Sequence, residues 1–215
     1  MKFATAGLAA CALVAVLLAA GCGSDGDGGR TGSETRTVAS FDRIHVAGRT
    51  DVIVRRGSRQ TLMLRGEERA LDDVETTVSD ETLTIDPHGQ HDDRLEVTIT
   101  LPRLRAVEAE SAGDIRLVDV DSGALELRLD GAGELAASGH VATLHASLDG
   151  AGELRLADLT AERATVRVDG LGKAEVNVTG ELDAIVTGVG DIEYLADPIV
   201  RSDVKGLGDV GPARP

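Results

Sequence analysis

The sequence predicts an all-β protein, a β-helix whose coils are about 19 residues long. Three observations predict it: a Gly-x-Gly turn that recurs along the second half, apolar residues at fixed offsets from that turn, and period-two alternation of apolar and polar residues. A repeat this short cannot bury its apolar face alone, so such repeats stack on one another. Period-two alternation is typical of strands and favours two or three short strands per coil, with no helix.

The first 21 residues have the form of a bacterial export signal. Lys2 gives a basic start, and an uncharged apolar run over residues 8–20 ends in small residues before Cys22. This run is too short for a stable membrane-spanning helix. Residues 18–22 (Leu-Ala-Ala-Gly-Cys) resemble the lipobox of bacterial lipoproteins, in which the cysteine carries palmitate-type acyl chains. Cys22 is therefore the predicted lipid attachment site, and a cleaved signal that releases a soluble protein is the alternative.

The stretch that follows is predicted to be a tether. Cys22 is the only cysteine left once the signal, which contains Cys11, is removed, so an internal disulfide is excluded. Two or more acyl chains hold a protein stably on a bilayer. Residues 22–36 are rich in Gly, Ser and charges, so we expect a flexible coil with a reach of roughly 20 Å. The prediction is an exported protein, lipid-anchored to the cell membrane or the outer membrane.

Residues 37–211 are predicted to be one domain, because about 180 residues is an ordinary domain size. The chain has 37 acidic and 22 basic residues, a net charge of −15. That balance disfavours nucleic acid as a partner, since binding it needs basic patches. With only 2 Phe, 1 Tyr and no Trp, the core must be built from Val, Leu, Ile and Ala.

The first half of the domain, residues 37–105, lacks the glycine turn but keeps the strand alternation. We interpret it as the irregular beginning of the same solenoid. Its one weak helix candidate is residues 67–74. Its short strands are expected around Ile44, Val52, Leu62, Leu83 and Val97.

The second half, residues 106–211, contains six copies of the turn. The second glycines are 20, 19, 20, 18 and 18 residues apart: Gly113, Gly133, Gly152, Gly172, Gly190 and Gly208. Apolar residues form columns two after, four before and six before this glycine. Those columns are Ile115, Leu135, Leu154, Ala174, Ile192 and Val210; Ala109, Leu129, Leu148, Val168, Val186 and Val204; and Val107, Leu127, Ala146, Val166, Ala184 and Ser202.

The glycines are predicted to make the corner of each coil, where positive φ angles turn the chain sharply. The residue between them is apolar in every copy, and we expect it to point inward. These residues are Ala112, Ala132, Ala151, Leu171, Val189 and Leu207. Phosphate binding is the other use of Gly-x-Gly, but the third glycine of a dinucleotide fingerprint is absent and Ala174 stands where a P-loop needs Ser or Thr.

Two columns of mostly acidic residues flank each turn. The corner ladder, directly after the second glycine, is Asp114, Glu134, Glu153, Lys173, Asp191 and Asp209. The strand ladder, three before it, is Glu110, Asp130, Asp149, Asp169, Thr187 and Lys205. Neighbouring coils lie about 4.8 Å apart, so the carboxylates would repel, bind Ca²⁺ or splay into water. A solvated acidic edge is the expectation and Ca²⁺ the alternative. His88 and His91 lie in a polar loop, where a solvated loop is likewise expected over Zn²⁺.

Several of these segments together resemble the GIN domain family, labelled as auto-transporter adhesin head domains. They are the Arg-x-Val-x-x-Phe-x-x-Ile-x-Val opening over residues 36–46, Asp-Val-Ile-Val from Asp51, the Leu-Pro-x-Leu segment ending at Leu104, and the serial turns. The resemblance covers most of residues 36–211. It implies a single-stranded right-handed β-helix at the cell envelope. It supplies no catalytic, cofactor or metal-binding residues to carry over.

The predicted function is a lipid-anchored envelope protein that acts as a non-enzymatic interaction or adhesion-like module. Its partners would be the membrane, through the anchor, and an envelope protein or surface ligand. One alternative is a β-helical polysaccharide hydrolase or lyase that uses two ladder carboxylates as acid and base. Another is a structural envelope spacer. A binding module should carry an apolar patch, an enzyme a cleft, and a spacer neither.

Overall fold

A computed structural model of the chain describes residues 16–18, 30–88 and 95–213. Within these residues a sheet of 16 strands winds into a parallel β-solenoid with one short helix, as the sequence predicts. The N-terminal strands and helix are β1 (Val16–Leu18), β2 (Thr31–Arg36), β3 (Arg43–Gly48), β4 (Thr50–Arg56), β5 (Thr61–Glu67), α1 (Glu68–Asp72), β6 (Val74–Ser79), β7 (Thr82–Pro87) and β8 (Leu95–Leu101). The remaining strands are β9 (Ala106–Ser111), β10 (Asp114–Gly131), β11 (Glu134–Gly150), β12 (Glu153–Gly170), β13 (Lys173–Gly188), β14 (Asp191–Leu195), β15 (Ile199–Gly206) and β16 (Val210–Pro212).

Each regular coil is one long strand that bends, not two or three short ones as the sequence suggests. β10 to β13 each run 16 to 18 residues, from one Gly-x-Gly corner to the next. Their parallel register joins equivalent residues, so that Leu129 lies beside Leu148 and Leu148 beside Val168. Each strand bends where the register shifts, as between Leu117 and Val120. Such bulges let a strand turn without ending its pairing.

The core follows the predicted columns in every coil except the last. Leu129, Leu148, Val168 and Val186 are fully buried, and the columns two after and six before the second glycine are buried in the same coils. The last coil is different, because Val204 is 40% exposed. These columns form one apolar core that runs the length of the solenoid.

The residue between the two glycines points outward, so the predicted inward direction is wrong. Leu171 is 67% exposed, Val189 51% and Leu207 86%. The second glycine faces the interior instead, as at Gly172. The strand alternation continues through the corner, so positions at an even offset from the second glycine face inward and the odd one between the glycines faces out.

The two glycines of a turn are needed for different reasons. The first has the predicted positive φ, as at Gly170 with φ +128° and Gly188 with φ +119°. The second is needed for space. A Cβ at Gly133 would lie 2.2 Å from the carbonyl oxygen of Gly113 in the preceding coil, closer than atoms can approach.

The first half belongs to the same solenoid, but its coils are not stacked in chain order. β3 pairs in parallel with both β7 and β9, and β4 pairs with both β8 and β10. The coil made by β3 and β4 therefore lies between the β7–β8 coil and the β9–β10 coil. The chain leaves after β4, builds the end of the solenoid, and returns past the first coil through residues 102–105.

Antiparallel strands cap this N-terminal end. β5 pairs antiparallel with β8 and β2, and β6 pairs antiparallel with β7. α1 lies within the predicted helix candidate and packs Leu71 into the core. The predicted tether is wrong over its last residues, because β2 occupies residues 31–36 in a strand ladder.

Arg36 explains why this segment is ordered. Its guanidinium donates hydrogen bonds to the carbonyl oxygens of Leu71 at 2.9 Å and Val74 at 2.5 Å, and to Thr76 Oγ1 at 3.0 Å. It also forms a two-pronged ion pair with Glu34, and the Arg36 side chain is only 9% exposed. These bonds join β2 to α1 and β6 across the end of the solenoid.

Candidate functional site

The strand ladder does not form a bare row of carboxylates, because arginines from an adjacent outward column lie between them. Arg128 is 2.9 Å from Asp130 on its own strand and 3.2 Å from Asp149 on the next coil. Arg167 is paired with Asp169 on its own strand. These exposed ion pairs offset much of the repulsion that the sequence predicts between coils.

The corner ladder is neutralised likewise. Arg155 lies between two coils, 3.2 Å from Glu134 and 2.9 Å from Glu153. At Asp191, a carboxylate oxygen accepts a hydrogen bond of 2.9 Å from the backbone N–H of Asp209 in the following coil. The carboxylate of a corner therefore satisfies the backbone of its neighbour, which is a structural reason for Asp after Gly-x-Gly.

Two ladder carboxyls have shifted pKa values. Partial burial, followed by the hydrogen bond and negative charge of Asp130, raises the pKa of Asp149 despite the opposing charge of Arg128. At Asp169 burial also acts to raise the pKa, but the Arg167 and Thr187 hydrogen bonds together outweigh it, and the pKa lies below its ordinary value. Local pairing thus gives equivalent positions of one ladder opposite shifts.

Three potential metal ligands converge at a place that the sequence analysis did not select. In the part of the chain that the structure describes, the one group of three such side chains with ligand atoms within 4.8 Å of one another is His45, Glu108 and Glu110. His45 Nδ1 is 3.5 Å from Glu108, and Arg128 Nε is 3.7 Å from the other oxygen of Glu108. Glu108 is therefore already in contact with both His45 and Arg128. The strand alternation alone would have predicted that His45 and Glu108 point outward. Their contact could not be predicted, because it depends on the register of β3 on β9.

The predicted histidine loop is described only in part. His88 Nε2 lies 2.8 Å from a Glu75 oxygen, and His88 Nδ1 lies 3.8 Å from Asp86. The Glu75 hydrogen bond, then the Asp86 charge, raise the pKa of His88. His91 lies outside the described residues. His88 is thus held by carboxylates of the β6–β7 hairpin.

An apolar ridge runs along the Gly-x-Gly corner towards the C-terminal end. We define it as Leu171, Val189 and Leu207, which occupy the same position on three successive coils. The backbone N–H of Val189 donates to Gly170 O at 2.8 Å, and that of Leu207 donates to Gly188 O at 2.8 Å. The earlier copies have only Ala at this position, so the larger side chains are confined to the coils nearer the C-terminal end. All three ridge residues are more than half exposed.

The described residues enclose little free volume. A cavity of about 20 Å³ lies under Leu101 and Leu104, beside Val120. A depression of about 270 Å³ at the N-terminal end is lined by Thr31, Arg65 and Glu96. In the same described residues, no helix has the length and apolar character needed to cross a bilayer. The predicted lipid site, Cys22, lies outside the described residues.

Comparison with known proteins gives one family and a set of similar folds. The family model described as "Putative auto-transporter adhesin, head GIN domain" matches residues 40–198. A putative adhesin from Bacteroides fragilis NCTC 9343 is 19% identical over 86% of this chain and 97% of that chain, with a TM-score of 0.71. A putative adhesin from Parabacteroides merdae ATCC 43184 is 18% identical over 88% and 98%, with a TM-score of 0.55.

A third solved structure carries a different description. It is a putative lipid binding protein from Parabacteroides distasonis ATCC 8503, 19% identical over 89% of this chain and 99% of that chain, with a TM-score of 0.51. At these identities the similarities show the fold alone. Comparison with curated proteins gives no match.

Proposed function

Because this chain belongs to the GIN domain family, we propose that it is an exported, lipid-anchored envelope protein that acts as a non-enzymatic interaction module. The family is named for adhesin heads, and similar folds are described as adhesins or as a lipid binding protein. Those descriptions place the chain in an adhesin-like family on a β-solenoid. Beyond the family, we propose lipid attachment at Cys22 and a contact surface at the apolar ridge.

The apolar ridge carries the proposal. A spacer has no reason to expose large aliphatic side chains at the same position of three successive coils. Leu171 is 67% exposed, Val189 51% and Leu207 86%, and the three successive coils that carry them lie about 5 Å apart. Contiguous exposed apolar surface of this kind is typical of contact sites in soluble proteins. The ridge therefore favours a binding module over a spacer.

The ladders support the same choice over a hydrolase. An acid–base pair needs two carboxyls that are free to face one substrate. Instead, Arg128 and Arg155 each bridge two ladder carboxylates of neighbouring coils. These carboxylates hold the coils together.

A capture experiment tests the ridge. The full chain, with Leu171, Val189 and Leu207 replaced together by Ser, is immobilised and exposed to envelope extracts beside the unchanged chain. The matched control is Met63→Ser, because Met63 is 48% exposed on the capped half of the solenoid. We expect the unchanged chain and the Met63 variant to retain the same molecules, and the ridge variant to lose them. Equal retention by the ridge variant would remove the ridge from the contact surface, and no reproducible retention by the unchanged chain counts against a binding module.

A separate experiment tests the anchor. Cells that produce the full chain are labelled with radioactive palmitate and fractionated. Cys22→Ser should abolish the label and move the protein from the membrane to the soluble fraction, because no acyl chain remains to hold it. Cys11→Ser is the matched control and should keep both label and location. A Cys22→Ser protein that keeps its palmitate label would contradict lipid attachment at Cys22.

A further inference from the structure

The C-terminal end of the solenoid presents an open sheet edge. β15 pairs in parallel with β13 along its whole length, from Ile199 beside Glu181 to Gly206 beside Gly188. Within residues 30–88 and 95–213, β15 has no second partner strand. A strand of eight residues therefore has one edge of backbone donors and acceptors without a neighbouring strand in this part of the chain.

The side chains of β15 show the same lack of cover. Val204 is 40% exposed, whereas Val186, at the equivalent position one coil earlier, is fully buried. Ser202 is exposed where Ala184 is buried. Side chains that belong to the core of an inner coil thus face outward from the end of the molecule.

The two ends of the solenoid differ in this respect. At the N-terminal end, antiparallel strands and α1 cover the core, and Arg36 fastens them. At the C-terminal end, β16 has three residues and ends in Pro212, which has no N–H to donate. β15 has no proline and no register shift on β13. Natural sheets protect such an edge with proline, bulges or charged side chains. Of these β15 has only the charges of Arg201, Asp203 and Lys205, which alternate in sign and so leave the edge open to a complementary strand.

A second copy of the same chain is the occupant that fits best. Two identical edges pair around a two-fold axis, so the strands run antiparallel and the register is set by the residue on the axis. The axis must also keep inward side chains opposite inward ones, because a one-residue slip would exchange the two faces. Only the charges and apolar residues of β15 then decide among the allowed registers.

With Ser202 on the axis, no two like charges lie opposite each other, and Ile199 lies opposite Lys205. Arg201 lies opposite Asp203 of the second copy, and the reverse pair forms by symmetry. Inward-facing Val200 lies opposite Val204 of the second copy, so the apolar core continues across the joint. Positions 199–205 are all paired.

The neighbouring registers are worse. With Arg201 on the axis, two Arg201 side chains oppose each other; with Asp203 on the axis, two Asp203 side chains do, and Arg201 lies opposite Lys205. Like charges directly opposite on a sheet are destabilising. With Val200 on the axis only residues 199–201 of β15 overlap. With Val204 on the axis Asp203 lies opposite Lys205, a favourable pair, but only residues 202–206 overlap, against 199–205 with Ser202 on the axis.

The charged residues are available for this pairing. Arg201 lies 3.7 Å from Asp183 and Lys205 lies 2.7 Å from Asp203, and the side chains of all four are at least half exposed. Exposed ion pairs contribute little, so exchanging a partner costs little.

We propose that two copies of this chain form a dimer through antiparallel pairing of β15 around a two-fold axis at Ser202, joining the solenoids end to end. The charge pairs fix the register, and Val200 and Val204 bury the joint. This proposal does not depend on the ridge or on the lipid anchor.

Charge reversal tests the register. Full chains with Cys11 and Cys22 replaced by Ser are studied by sedimentation velocity across micromolar concentrations. The chain without further change should form a dimer of twice its 22.3 kDa. Arg201→Asp and Asp203→Arg should each weaken the dimer at least about tenfold, because each places like charges opposite one another. Circular dichroism spectra should stay unchanged, since both positions are exposed.

Mixing the two variants gives the sharpest result. An Arg201→Asp chain has two acidic side chains at these positions and an Asp203→Arg chain has two basic ones, so only the mixture is complementary. We expect the mixture to dimerise where each variant alone is monomeric. A monomeric starting chain, a dimer equally strong in both single variants, or a mixture that stays monomeric would each overturn the proposal.

Disulfide trapping tests the axis without relying on affinity. In the same cysteine-free chain, Ser202→Cys places two thiols across the axis with Cα atoms about 5 Å apart, within disulfide reach. Lys205→Cys is the matched control, because the two copies of position 205 would lie roughly 20 Å apart. Mild oxidation should cross-link the Ser202→Cys chain at least about tenfold faster. Equal rates would refute the axis.

Discussion

At the scale of single residues, the charged side chains of this acidic protein mainly hold its backbone and its coils in place. Arg128 and Arg155 each join carboxylates of two successive coils. Asp191 accepts a backbone hydrogen bond from the next corner. Arg36 goes further, because its guanidinium is nearly buried and fastens three elements of the N-terminal cap. These charged side chains act through contacts with their immediate neighbours.

Arg36→Met should therefore be strongly destabilising. The change leaves the carbonyls of Leu71 and Val74 without their donors and Glu34 as a nearly buried, unpaired carboxylate. We expect a loss of about 3 kcal/mol in the free energy of unfolding, measured by urea denaturation. Arg65→Met is the matched control, because Arg65 is an exposed residue of β5, and it should change the free energy of unfolding by less than about 0.5 kcal/mol. A similar small effect for both would show that the Arg36 network contributes little.

Asp149 should make the stability of the fold depend on pH. Its pKa is raised in the folded protein, mainly by burial and then by Asp130, so the folded state binds more protons than the unfolded state. Its contribution to stability must fall as the pH rises from about 4 through the folded-state value. Asp149→Asn should remove this decline and slightly raise the melting temperature at pH 7. The gain in the free energy of unfolding should be less than about 1 kcal/mol, because the site is partly exposed. A lower melting temperature at pH 7 would mean that the Arg128 pair outweighs the repulsion.

At the scale of elements, the repeating unit is a long bent strand whose alternation runs unbroken through a glycine corner. This explains why the turn needs two glycines and why the residue between them is outside. The first glycine adopts a positive φ, and the second lies against the carbonyl of the preceding coil. The apolar residue between them therefore points away from the core. Three large ones on successive coils, Leu171, Val189 and Leu207, form the ridge.

Gly133→Ala should separate two coils. The added Cβ would meet the Gly113 carbonyl oxygen at 2.2 Å, and a backbone atom cannot move aside without disturbing the ladder. We expect a loss of about 1–3 kcal/mol in the free energy of unfolding by chemical denaturation. Gly123→Ala in β10 is the matched control, because nothing lies within 4 Å of its added Cβ, and it should be neutral or slightly stabilising. Equal effects of the two changes would contradict the close approach of the coils.

At the scale of the whole molecule, the solenoid has a capped end and an open end. β1 and β2 lie at the beginning of the strand order, and β14 and β16 lie at its end. The described chain therefore enters at the cap, while the open edge of β15 lies at the opposite end. If Cys22 carries lipid and β15 pairs two copies, each dimer has its anchors at its two far ends. Such a dimer is suited to joining two surfaces.

This arrangement predicts that vesicles carrying the lipidated full chain should cluster, because dimers form between them. Dynamic light scattering should show the growth in size. Vesicles carrying only Arg201→Asp or only Asp203→Arg chains should stay dispersed, whereas a mixture of the two kinds should cluster. Dispersed vesicles in the mixture, with dimers seen in solution, would mean that both chains of a dimer lie on one membrane.

The solenoid, the length of its coils and three of its apolar columns can be predicted from the amino-acid pattern, because period-two alternation and a repeated turn leave few other ways to bury Leu129 or Val168. The family can be recognised from the same residues. The stacking of the first half cannot be predicted in this way, since the β3–β4 coil lies between two coils that follow it in the chain. Tertiary structure also brought His45 to Glu108, set Arg36 in the cap, and turned Leu171, Val189 and Leu207 outward. The physical reason is the same in each case: local pattern fixes which side chains alternate, whereas the partner of each strand, and the face left uncovered, depend on contacts between residues far apart in the chain.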